Sequence, residues 1–183
     1  MTTEAPALMT VYEGWDGHQV ALVRAVSPLL PEQLAWRAAP HLRSVGELAA
    51  HIVTGRISWI HDILAVESPE VTQWVAAWNT GSTLKPGVEQ NPAVLVSGLE
   101  ATWRMIESAL TCWTTDDLGK TLPHAWQGKT WALSRQWILW RIMSHDLHHG
   151  GELAFALGLQ GISIPDLGDF GGHLTAPSLS EPS

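Results

Sequence analysis

Nine histidines give this 183-residue chain its best prospect of chemistry, and three of them fall in one run, His145-Asp146-Leu147-His148-His149. On a helix, at about 100° per residue, His145 and His149 lie roughly 40° apart, on one face. They share that face with Ile138, Ile142 and Ala156, positions a helix here should bury. His148 lies roughly 100° from His149, nearer the edge of the stripe. Two imidazoles one turn apart can converge on a single metal ion. The plainer alternative is a pair of core histidines. Against it, each ring would bring nitrogens that need partners away from water. A zinc-protease pattern is excluded, because Asp146 stands where that motif needs Glu and Glu152 where its longer form needs Gly.

A further ligand has to come from another helix. His51 is the first candidate, two turns into a capped helix and near Leu48 and Gly55. His18, between Trp15 and Leu22 on the stripe of the first helix, is the second candidate. It serves equally well as a hydrogen-bonded core residue. His41, His61, His124 and His173 fall in loops or on solvated faces. Arg141, His148 and Glu152 stand near the edge of the site, with no role assigned by spacing.

Four amphipathic segments position these residues. The first runs from about Ala7 to Leu29, with Leu8, Tyr12, Trp15, Leu22, Val26 and Leu29 on one stripe, and Pro28 and Pro31 end it. The second, about Ser44 to Val66, opens on a capping box formed by Ser44 and Glu47. A long connection, Glu67 to Gln90, has room for a short helix over Val71–Trp78. Asn91-Pro92 then reads as a cap for the third helix, which buries Leu95, Leu99, Trp103, Ile106 and Leu110. A loop over Thr114–Lys129 leads to the last helix, about Thr130 to Leu157, ended by Gly158. No strand pattern competes with the helices. The expected architecture is an all-α four-helix bundle over residues 1–160, with an extended or partly disordered tail at 161–183. The long crossover lets the second and third helices run the same way.

Composition narrows the function. Ten Lys and Arg against eighteen Asp and Glu leave a net charge of −8 and no basic cluster, which disfavours nucleic acid or an anionic membrane as the main partner. No stretch approaches a membrane span. Neither a secretion signal nor an intrachain disulfide is expected, since Cys112 is the single cysteine, so the chain reads as cytoplasmic. Eleven tryptophans suit cores, interfaces and pocket walls.

Two stretches carry a family resemblance. Leu34-Ala35-Trp36-Arg37-Ala38-Ala39-Pro40 with Ser44 to Ile52, and His145 to Leu153, resemble the opening and closing signatures of the DinB/YfiT-like superfamily. The closing signature is usually similar to H-x-x-x-H-R-G-Q, so Gly150 and Glu152 depart from it. The resemblance implies an up-down-down-up bundle holding one divalent metal ion, commonly zinc or nickel, on residues matching His51, His145 and His149. It also implies a homodimer, and a metal-dependent enzyme acting on a small molecule, through hydrolysis or through transfer or isomerisation involving a low-molecular-weight thiol. Three histidines would leave open coordination, as in catalytic zinc sites. The alternative is a non-catalytic stress or interaction protein whose ion holds the helices together. Glu152 either orients a ligand or is a solvated carboxylate near the helix end.

Overall fold

The computed structural model describes residues 8–80, 83–164 and Leu167, and over these the chain is mainly helical. The first expected helix is two pieces, α1 (Leu8–Val11) and α2 (Trp15–Val26). Gly14 separates them in the left-handed region, φ 97°, where it precedes the first residue of α2. After the short α3 (Pro31–Ala35) comes α4 (Val45–Arg56), capped as the sequence indicates. The Glu47 amide donates to Ser44 Oγ at 3.1 Å, and the Ser44 amide donates back to Glu47 Oε2 at 2.9 Å.

Past Arg56 the second helix changes character. Residues Ile57–Ile63 form a π-helix, and the Leu64 amide donates to the Trp59 carbonyl five residues back. Such wide turns inside helices occur frequently at functional sites. The long connection contains α5 (Pro69–Trp78), a minimal strand pair β1 (Asn79–Thr80) and β2 (Thr83–Leu84), and a 3₁₀ turn at Val88–Gln90. Asn91 then caps α6 (Pro92–Cys112), accepting from the Val94 amide at 3.2 Å.

The second connection corrects the expected loop. After a 3₁₀ turn at Thr115–Gly119, β3 (Thr121–Trp126) and β4 (Lys129–Ser134) pair as an antiparallel hairpin. The last helix, α7 (Arg135–Leu159), therefore starts later than Thr130, capped by Ser134. It also runs through Gly158, and Gly161, at φ 76°, follows the end. Most of the expected tail lies outside the described residues.

One core joins these elements. Helix α4 packs against α6 and α7, and α2 packs against the same two helices. Leu8, Trp15, Leu22, Val26, Ile52, Leu95, Leu99, Ile106, Leu110, Ile138 and Ile142 are buried in it. Among the described residues no helix is long and apolar enough to cross a membrane.

Candidate metal centre

Helices α4 and α7 bring His51, His145 and His149 together. Their ring centroids lie 4.4–4.7 Å apart, and His145 Nε2 is 3.1 Å from His51 Nε2. One ligating atom from each falls within 4.8 Å of the others. His145 and His149 are buried and His51 is half-buried, facing a cavity of about 710 Å³ that Arg43, Thr54, Ser58, Arg141 and His148 also line. Gly55 leaves the space that His145 fills, since a Cβ there would sit 2.6 Å from His145 Cε1.

The protonation states suit ligation. Burial, then the charges of Arg43 and His149, lowers His51 to about 4. Burial, then the charges of His149 and His51, lowers His145 to about 3. Both rings are neutral at pH 7, the form that binds metals. A tetrahedral ion with nitrogens at about 2.0–2.1 Å spaces its ligand atoms about 3.3 Å apart, close to the separation of the His51 and His145 nitrogens.

Glu152 completes the arrangement from α7. Its Oε2 lies 2.7 Å from His149 Nδ1. With the proton on Nδ1, His149 donates to this carboxylate and leaves the Nε2 lone pair free, the usual support for a metal-binding imidazole. Burial alone would raise the Glu152 carboxyl, but the hydrogen bond and charge of His149 and the charge of His148 outweigh it and hold it below its usual value. His148, His149 and Glu152 make a second group with metal-ligand spacing. Two of its members are exposed, so the more buried trio, His51, His145 and His149, is the better candidate.

These shifted rings carry a pH prediction. In an unfolded chain both rings would take up protons near pH 6.5, the ordinary histidine value, whereas in the folded chain they resist until about 4 and 3. Acidification below 6.5 therefore favours the unfolded chain, and stability returns as pH rises back through that window. With a chelator present, the melting temperature should fall between pH 6.5 and 4. A His51→Gln/His145→Gln variant should lose less over the same range. Equal slopes in the two proteins would contradict the neutral assignment.

The remaining sequence candidates are dispersed. His18 is buried in the core, with Nε2 3.1 Å from the Asp146 carbonyl oxygen, and is not a member of the three-histidine group. His41 is exposed, and His61 contacts Asp62 and Thr72. His124 is on β3, beside Trp59. His173 lies outside the described residues.

Comparison with known proteins matches most of the chain to one family model. Residues 13–156, which contain all three histidines, match the family model described as mycothiol-S-transferase. The chain belongs to the mycothiol-S-transferase family, within the DinB/YfiT-like superfamily. A crystal structure of a DinB-like protein from Bacillus cereus ATCC 10987 shares the fold, with a TM-score of 0.61 and 20% identity over 82% of this chain and 91% of that one. No curated protein matches.

Within this mycothiol-S-transferase family member, the first departure from the closing signature has a steric cause. A Cβ at Gly150 would lie 2.6 Å from His18 Cε1, so the His18 ring occupies the space a larger residue would need. Under α7 lies a buried network that sequence reasoning missed. Asp146 Oδ2 accepts from Arg56 Nε at 2.9 Å and from Trp15 Nε1 at 3.0 Å, and Arg56 Nη1 donates to Gln19 Oε1 at 2.7 Å. Both charged side chains are fully buried. Asp146 directly follows His145 and Arg56 directly follows Gly55, so the ion pair ties α4 to α7 beneath the histidine cluster. The only available sequence signal was a charged residue on each helix, one beside a histidine and one at an otherwise apolar position.

Proposed function

We propose that this chain is a metal-dependent S-transferase for a low-molecular-weight thiol, mycothiol being the candidate its family name supplies. The observation that carries this reading is the convergence of three imidazoles on an open cavity, in a chain whose family match spans all three. His51, His145 and His149 would hold the ion, with zinc or nickel the expected metals because imidazole accepts both. When bound, such an ion supplies Lewis acidity that lowers a thiol's pKa and favours the nucleophilic thiolate.

The chain's own residues do the rest. Glu152 fixes the His149 tautomer and ring plane through the 2.7 Å hydrogen bond. Arg43 and Arg141, at the cavity wall, favour anionic sulfur by their charge. The transfer forms a bond from sulfur to an electrophilic carbon. The leaving group departs with its bonding pair and the thiol proton passes to solvent. Because α4 and α7 are already joined by Arg56 and Asp146, an ion is not needed merely to hold them together. That supports the catalytic reading over a stabilising one. The up-down-down-up order, a single bundle domain over 1–160, a homodimer and a cytoplasmic location belong to the same proposal.

The test is mycothiol consumption with iodoacetamide, after chelation and after adding back zinc or nickel. Turnover that disappears with the metal and returns with it is expected. Consumption no faster than without protein would refute the reading. Glu152→Gln, which restores the residue usual in the closing signature, should weaken metal affinity about tenfold, as loss of a charged partner to a ligand histidine does. Unchanged affinity in a competition titration would remove Glu152 from that role.

A further inference from the structure

A second cavity, of about 750 Å³, adjoins the histidine cavity and shares Ser58, Trp59 and Arg141 with it. Its far wall is the hairpin. The register pairs His124 with Trp131, Leu122 with Leu133 and Trp126 with Lys129, so these side chains share one face of the two strands. His124, Trp126, Trp131 and Leu133 line the cavity from that face, opposite Trp59 and Trp137. Trp59 and Trp137 stand 5.5 Å apart at 60°, and Trp131 Nε1 donates to the Trp126 carbonyl at 3.4 Å. Trp126, Trp131 and Trp137 remain 58%, 46% and 46% exposed. Three indoles this exposed around one cleft are unfavourable in water without an occupant.

We infer that this tryptophan-lined cleft is the subsite for the second substrate, and that its occupant is a planar aromatic electrophile of one or two rings. This rests on the thiol-transfer reading. Volume admits such a molecule, since small-molecule pockets run from about 300 to 1,000 Å³. Chemistry selects an aromatic one, because tilted indoles offer stacking and edge contacts to a flat ring. Position supplies the function. A ring held here reaches the shared wall beside the three histidines, where Arg141 can face a leaving group that gains negative charge. For an aryl halide the step forms the sulfur–carbon bond, breaks the carbon–halogen bond, releases halide with the bonding pair and passes the thiol proton to solvent.

The experiment uses 1-naphthol, an unreactive two-ring probe, titrated calorimetrically into the full chain, a Trp126→Ala/Trp131→Ala variant and a His145→Ala/His149→Ala variant. The tryptophan variant should bind at least about tenfold more weakly, while the histidine variant binds as the wild type does. Melting curves and sedimentation of each protein accompany the titrations. Equal affinity in the tryptophan variant, absence of binding to the wild type, or loss of binding in the histidine variant would each overturn the inference. So would a wild-type dimer that the tryptophan substitutions dissociate, because the cleft would then belong to a second copy. None of these titrations needs thiol transfer, so failure of the subsite and failure of the transfer reading are distinguishable.

Discussion

Replacing His145 with alanine is expected to lower thiol transfer by roughly a hundredfold or more, with the fold retained. Removing even a partner of a ligand histidine costs about 10–100-fold in affinity or activity, and a ligand should cost at least as much. His145 is the most exacting choice, because its Nε2 lies 3.1 Å from that of His51 and its ring fills the space left by Gly55. Truncation removes one of the three proposed donors and leaves a small void beside Gly55. The readout is kcat/KM for mycothiol and iodoacetamide at saturating metal, beside a melting curve. A variant that melts like the wild type and retains full activity would show that the ring takes no part in the reaction.

The largest stability effect is expected below the site. Asp146→Ala should cost about 3–5 kcal/mol, because it leaves the Arg56 guanidinium buried without its counter-ion. In a domain of this size that corresponds to a melting temperature lower by roughly 6–20 °C. One further loss adds to it, because Trp15 Nε1 also donates to Asp146 Oδ2. Arg56→Met combined with Asp146→Leu should recover much of the difference, since a buried ion pair exchanged for apolar side chains of similar volume is often close to neutral. Thermal unfolding of the three proteins checks this. A single variant as stable as the wild type would mean that the network contributes nothing.

Much of this was legible from residue spacing. Stripes at three- and four-residue intervals gave the buried faces of the long helices, and Leu95, Leu99, Trp103, Ile106 and Leu110 are all buried on α6. The caps at Ser44 and Asn91 are local events between residues three apart, so they needed no tertiary context. The three histidines come together because two occupy adjacent turns of α7 and the third lies midway along α4, which packs against it. Their proposed service as metal ligands is supported by the neutral His51 and His145 rings and by the Glu152 hydrogen bond to His149.

The hairpin was not legible for identifiable reasons. Its turn, Gln127-Gly128, has positive φ at both residues, 49° and 71°, and a glutamine there lacks the usual turn signature. Pro123 within β3 is a residue that strands usually exclude, although a two-stranded hairpin consists only of edges and can accept it. Without the hairpin, four tryptophans around one cleft could not be brought together on paper. The Arg56–Asp146 pair lies 90 residues apart in sequence. The one local signal, a charge at an otherwise apolar helix position, does not say which residue across that distance would be its partner. Gly14 gave no warning either, since a lone glycine in a helical stripe is often tolerated.

The most direct measurement is the metal content of the purified chain, free of any affinity tag, beside a His145→Ala/His149→Ala variant, after equal exposure to zinc and to nickel. About one divalent ion per wild-type chain and almost none in the variant are expected. No retained metal in the wild type, or equal metal in both proteins, would contradict the three-histidine centre and with it the catalytic reading built on it.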